Sequence, residues 1–238
     1  MDGFIGILGV VALLLIVGGA LGLMLPGRTS WLWLLAAAGL VLVNDAMLTR
    51  AWGLIPDVLP HSDWNWQGKI MALAATLAVV ALPVFGRRRS GLTLAQAPGS
   101  WKTALPVTAA YAGLFLIMAF VFPNEAASKE TIAFQLTLPG LEEEPFYRGV
   151  LLLALARAFS GRVRLLGVDW SLGAVLSCAL FGLAHAFGYS DGAFSFDPMT
   201  MALTGVPSLI AVWLVLRTRS LLLPILMHNF GNAIMLLV

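Results

Sequence analysis

The stretch 3–25, GFIGILGVVALLLIVGGALGLML, contains no charged residue. A membrane-crossing helix needs about 20 mostly apolar residues, so this run is long enough to span a bilayer. No basic residue precedes it and no small-residue cleavage site follows it, which marks a retained helix and not a secretory leader. Runs of the same kind recur at roughly 31–48, 69–86, 103–122, 138–159, 171–188, 199–216 and 221–238,. Asn44 and Asp45 interrupt the second, and the fifth carries an acidic cluster. The gaps reach about 20 residues, too short for a separate soluble domain. Residues 1–238 therefore read as one polytopic domain, an all-α integral membrane protein with a bundle of about eight transmembrane helices.

Composition agrees. Of 238 residues, 60% are hydrophobic and 11% charged, and the mean hydropathy is +0.91. A soluble domain carries about 25% charged residues, so this chain cannot wet its own surface, and its surroundings are the lipid bilayer of the cell membrane. A net charge of +2 with no basic block excludes nucleic acid as the main partner,. The lone Cys178 excludes an internal disulfide and a CxxC metal knuckle,.

Lys and Arg separate between alternate loops. Arg28, Arg87, Arg88, Arg89, Lys102, Arg157, Arg162, Arg164, Arg217 and Arg219 fall on one side; Arg50, Lys69 and Lys129 fall on the other. The second side instead carries Asp2, Asp57, Asp63, Glu125, Glu130, Asp191 and Asp197. Basic loops stay in the cytoplasm, so both termini are expected outside it.

Ionisable groups inside a membrane are costly and ask for an explanation. They occur in four places: Glu142-Glu143-Glu144-Pro145-Phe146-Tyr147-Arg148, Phe181 to His185, His228 to Asn232, and the pair Asn44-Asp45. Pro139 and Pro145 both suit a first helical turn, which would set the three carboxylates near a helix N-terminus. Glu144 and Arg148, four apart, share a face and can pair. Glu143 points about 100° away and is left without a built-in cation, and a carboxylate in an apolar setting takes up a proton near neutral pH. His185 has Phe181 one turn earlier, and His228 has Asn232 one turn later. Each motif alone also fits interhelical hydrogen bonding, and Asn44-Asp45 reads as a structural partner for another span. Taken together, a carboxylate, two imidazoles and an amide on three helices, all in the outer half of the bilayer, are the parts needed to activate water and stabilise an oxyanion.

In order and helical placement, Glu143-Glu144-x-x-x-Arg148, Phe181-x-x-x-His185 and His228-x-x-x-Asn232 resemble the three motifs of the CPBP family of CAAX proteases and bacteriocin-processing enzymes, whose eukaryotic branch is the Ras-converting endoprotease. The resemblance covers about 101–238, the expected catalytic core; residues 1–100 are N-terminal helices of unassigned role. Glu142 leaves the carboxylate register formally ambiguous, but only Glu143 and Glu144 lie at the right distance from Arg148. The resemblance implies an intramembrane endopeptidase in which Glu143 is the general base and shares a nucleophilic water with His185. His228 and Asn232 would steady the tetrahedral oxyanion, and Glu144 with Arg148 would hold the motif helix. Tyr147, one turn from Glu143, either hydrogen-bonds it or packs.

Zinc on Glu143, His185 and His228 is the alternative. The chain lacks a His-Glu-x-x-His helix, however, and Asn232 suits an oxyanion better than a metal, so a glutamate mechanism without a cofactor is expected. The expected partner is a membrane-anchored protein or peptide substrate. Prenylated CAAX tails are exposed at the cytoplasmic leaflet, so an outward site fits better an exported protein held by a C-terminal hydrophobic anchor, as in sorting-type members such as the myxosortases. Two other classes use the same buried groups: a proton-coupled carrier, although no corresponding pair of broken helices appears in the two halves, and a non-catalytic scaffold or immunity protein.

Overall fold

A computed structural model describes residues 1–122 and 126–238; Glu125, counted above among the outer acidic residues, lies outside them. The chain forms α1 (Asp2–Met24), α2 (Trp31–Leu48), α3 (Trp66–Ala81), α4 (Trp101–Val121), a short α5 (Lys129–Gln135), α6 (Leu138–Glu143), a π-helical segment (Glu144–Leu151) and α7 (Leu152–Ala158). Then follow α8 (Leu172–Ala186), α9 (Pro198–Thr218) and α10 (Leu222–Leu237). Each of the eight expected spans overlaps one helix or, for 138–159, the unbroken rod made by α6, the π segment and α7; the third, expected at 69–86, is displaced to Trp66–Ala81. Among the described residues, α1, α2, α4 and α9 are long and apolar enough to cross a membrane, and α3, α8 and α10 are shorter apolar helices.

Two antiparallel hairpins interrupt the helical pattern: β1 (Val163–Leu165) with β2 (Val168–Trp170), and β3 (Phe187–Ser190) with β4 (Ala193–Phe196). The sixth span accordingly ends at Ala186, not 188. Beyond it Phe187, Tyr189, Phe194 and Phe196 alternate with small residues, a strand pattern, and the Phe187 and Phe194 rings stack at 5.3 Å,.

Loops alternate between the two ends of the bundle. At one end Ser30 donates to the Ala158 carbonyl at 2.8 Å, Leu221 donates to Gly91 at 2.9 Å, and the Arg157 guanidinium donates to Val84 at 2.7 Å. This is the arginine-rich end. At the other, the indoles of Trp64 and Trp66 donate to Thr131 and Glu130 at 2.9 Å, tying the loop before α3 to α5. The separation of basic and acidic loops in the sequence is therefore a separation of the two ends in space.

The rod 138–158 is the centre of the packing. Val150, Leu151, Ala154 and Leu155 are fully buried. Val10, Leu14, Leu34 and Val41 of α1 and α2 pack with them on one side, and Leu152 packs with Ala174, Cys178, Val212 and Val215 of α8 and α9 on the other. Large apolar side chains also cover the outside, including Ile16, Leu23, Ile117, Phe120 and Leu203, as expected where lipid and not water is the neighbour.

Candidate active site

The rod changes register where its acidic cluster lies. Pro139 occupies the first turn of α6 as expected, but Pro145 does not start a helix. It sits inside the continuous rod, at the start of the π segment. Proline brings no N–H, so the ladder is already interrupted there and can widen from i−4 to i−5 bonding. The three carboxylates are thus inside the rod, where Lys69, Asn44 and His228 of other helices each meet one or more of their oxygens in place of free backbone N–H groups. The rod is fastened to α10 by Asn229, whose Oδ1 accepts from Gly140 N at 2.7 Å and whose Nδ2 donates to the Thr137 carbonyl at 3.0 Å. A Cβ at Gly140 would lie 2.6 Å from Asn229 Oδ1 and 2.8 Å from the Ile225 carbonyl, so this approach requires glycine.

That contact brings Glu143 and Glu144 to His228. Glu144 Oε1 lies 2.7 Å from His228 Nδ1; a carboxylate only accepts, so Nδ1 carries the hydrogen. Nε2 then faces Glu143, 3.7 Å from its Oε2. Glu144 Oε2 meets Arg148 Nε at 3.3 Å, the expected pair, with both side chains almost fully buried. The Arg148 guanidinium lies 3.9 Å over the Phe181 ring, and that ring packs on His185 at 4.7 Å. His185 Nδ1 lies 2.9 Å from the Phe181 carbonyl, so this nitrogen also carries its hydrogen and Nε2 is free to accept. Asn232 Nδ2 donates to Gln135 Oε1 at 3.0 Å.

Glu143, Glu144, Arg148, Phe181, His185, His228 and Asn232 all line one cavity of about 740 Å³. Its remaining wall combines Lys69, Gln135, Trp64 and Phe134 with mostly apolar residues of α4, α9 and α10, and it lies toward the end opposite the arginine-rich loops. Tyr147 is the exception. It packs edge-on against Phe146 and Phe181 at 4.9 and 5.1 Å and lines a separate cavity of about 300 Å³ beside α1 and α2.

Residues 129–234 match the family described as type II CAAX prenyl endopeptidase Rce1-like. The similarity to that family covers less than half of the chain. The match agrees with the resemblance to the CPBP family. No curated protein and no solved structure matches the chain.

The Rce1-like segment contains every residue singled out for chemistry in the sequence, but the structure adds groups from outside it. Glu143 is not left without a cation. Lys69 Nζ donates to its Oε1 at 2.5 Å and to Glu142 Oε2 at 2.7 Å. The sequence reading counted Lys69 among the outer loop cations; α3 instead begins three residues earlier than expected and carries it into the bundle. Asn44 Nδ2 donates to Glu142 Oε1 at 2.8 Å, so Asn44 is the structural partner it was read to be, whereas Asp45 accepts from the Trp52 indole at 2.8 Å. Gln135, on the short α5, had no sequence signal at all.

Among the described residues, the hydrogen bonds at Glu143, His185 and His228 engage one atom of each and leave His185 Nε2, His228 Nε2 and Glu143 Oε2 uncommitted. Glu143 Oε1 is held by an ammonium, His228 Nδ1 by Glu144 and His185 Nδ1 by a backbone carbonyl. Among the described residues no three His, Cys, Asp or Glu side chains group as a metal site. Outside the spans, hydrogen bonds from the Ser62 hydroxyl and then the Trp66 indole hold the Glu130 carboxyl below the usual carboxylate range.

Proposed function

We propose that this protein is an intramembrane endopeptidase that hydrolyses a peptide bond near a membrane-embedded or C-terminal segment of a protein substrate. The observation that carries the reading is Glu143 Oε2: it is buried, has no hydrogen-bond partner among the described residues, and faces His228 Nε2 across 3.7 Å at the cavity wall. A water hydrogen-bonded to Glu143 Oε2 and His185 Nε2 gives its proton to the carboxylate, and the hydroxide adds to the peptide carbonyl carbon. The oxyanion receives the remaining amide hydrogen of Asn232 and, when His228 is doubly protonated, its Nε2–H. Collapse breaks the C–N bond, and the proton held by Glu143 passes to the leaving nitrogen. Glu144 and Arg148 touch no reacting atom in this scheme. Glu144 orients His228 and Arg148 balances Glu144, while Phe181 supports His185.

The mechanism is read as metal-free, since the Lys69 ammonium sits on the Glu143 carboxylate and the chain has no His-Glu-x-x-His helix. A strong chelator should leave cleavage intact; loss of activity restored by zinc would overturn this part.

For the substrate, the cavity lies toward the end away from the arginine-rich loops, and the Lys and Arg bias makes that the non-cytoplasmic end, with both termini on the same side. This favours an exported protein with a C-terminal hydrophobic anchor, the substrate of a sorting-type member, over a prenylated cytoplasmic tail. The sidedness is tested with Asp191→Cys and Arg162→Cys in a Cys178→Ser background, using an impermeant thiol reagent on intact cells. Labelling at 191 alone is expected; labelling at 162 alone would return CAAX-like substrates to first place. The activity is tested by mass spectrometry of protein termini in cells with and without the gene. New C-termini that depend on it support the protease, and an unchanged set of termini would favour a carrier or a scaffold.

A further inference from the structure

Lys69 lies 60 residues before the Rce1-like segment begins, yet it is the nearest cation to the carboxylate assigned as the base. Its side chain is 14% exposed. Glu142, which it also contacts, is committed at both oxygens, one to Lys69 and one to Asn44. Glu143 has only Oε1 committed. The junction of α2 and α3 sets the lysine in place. Asn65 caps α3 by accepting from Gly68 N at 3.0 Å, while its Nδ2 donates to the Leu48 carbonyl at 2.8 Å. A Cβ at Gly68 would overlap that same carbonyl, so the residue next to Lys69 must be glycine for α3 to lie this close to α2.

We propose that Lys69 is a positioning residue for the general base: it holds Glu143 Oε1, leaves Oε2 for the water proton, and is itself seated by Glu142, whose other oxygen Asn44 holds. The inference rests on Glu143 being the base. Its physical ground is charge. Glu142 and Glu143 are neighbouring buried carboxylates, and two such groups without a cation share a proton. A Glu143 that already carries that proton cannot take one from water. The other groups around Glu143 are Glu144, Tyr147 and Arg148 on its own rod, His185 on α8 and His228 on α10. Arg148 is engaged by Glu144, which leaves Lys69 as the cation for the remaining two carboxylates.

The test uses the full chain in proteoliposomes with two quenched fluorescent probes, a farnesylated CAAX peptide and an unprenylated peptide ending in a hydrophobic helix. The variants are Lys69→Met, Lys69→Arg and Glu142→Gln. Cleavage is followed against pH, and the protonated-carboxyl stretch is followed by infrared absorption, which needs no substrate. In Lys69→Met the acid limb of kcat/KM should move up by about one to three pH units, with a matching infrared titration that Glu143→Gln removes. Lys69→Arg should restore most of the wild-type profile. Glu142→Gln, which keeps a side chain for Asn44 and gives Lys69 to Glu143 alone, should move the limb the opposite way. If Lys69→Met lowers only the melting temperature and leaves both titrations where they were, Lys69 is merely structural and the proposal fails. Should the wild type cleave neither probe while the infrared titration still moves with Lys69, the protease reading loses support and the Lys69–Glu143 coupling stands.

Discussion

Residues 1–100 and 129–234 differ in what they contribute to the same cavity. The Rce1-like segment supplies the carboxylates, both imidazoles and the amide, in motifs whose members lie four residues apart on single helices. The N-terminal helices supply no motif, yet Asn44 and Lys69 reach Glu142 and Glu143 across 98 and 74 residues of chain. In the proposed mechanism the Rce1-like segment holds the groups for chemistry, and Lys69 of the N-terminal helices compensates their charge. A buried carboxylate with no cation would be neutralised or would destabilise the fold, so a match confined to 129–234 leaves out part of what keeps the site in its working state.

The largest expected effects lie within 129–234. His185→Ala, His228→Ala and Asn232→Ala should each lower kcat/KM by about 10² to 10³ while leaving the melting temperature near wild type. Their combination should cost far less than the product of the single effects, because residues acting as a unit fail together. Full additivity would separate them into independent contributions and break the picture of one site.

Next come Glu144→Ala and Arg148→Ala. Each strands a buried charge and should cost about 3 to 5 kcal/mol, read as poor expression and a lowered melting temperature. Glu144→Ala also frees His228, so its surviving protein should be inactive, whereas surviving Arg148→Ala should keep some activity. Two variants that melt like wild type would contradict the pairing.

In the N-terminal region, Asn44→Ala removes one donor to Glu142 and should cost about 1 to 3 kcal/mol, with a smaller loss of activity than Lys69→Met. A wild-type melting temperature would show that α2 is not energetically joined to the carboxylates.

Much of this molecule could be read before its structure. The eight apolar runs, the alternation of basic and acidic loops, and the Glu144–Arg148 pair are local or nearly local patterns, and helices preserve such spacings. What failed was non-local. Lys69 looked like a loop cation because its apolar run begins at position 69, and only the seating of α3 on the Leu48 carbonyl brings it inside. Pro145 looked like a helix start because nothing in a 3.6-residue period announces a π segment. Tyr147 was open between a hydrogen bond to Glu143 and packing, and it packs on Phe146 and Phe181 beside α1 and α2. Gln135 meets Asn232 because α5 packs beside α10, a contact that no spacing encodes.

The smallest expected effect concerns the loop end of the cavity. The Glu130 carboxyl, held below its ordinary range by Ser62 and Trp66, contributes stability that is complete above that range and lost as pH falls through its lower folded value. Amide exchange in the 62–66 loop should therefore quicken at acid pH in the wild type and be fast and nearly pH-independent, after correction for intrinsic rates, in Glu130→Gln. Identical behaviour of the two would detach α5 from the loop before α3.

The central claim is that Glu143 activates water for peptide hydrolysis at a site shared by both regions. Its most direct test is mass spectrometry of a peptide probe cleaved by purified wild type, incubated beside Glu143→Gln that is shown by its melting curve to be folded. The account predicts a single new carboxyl terminus with the wild type and none with Glu143→Gln. The same product formed at the same rate by both proteins would contradict it.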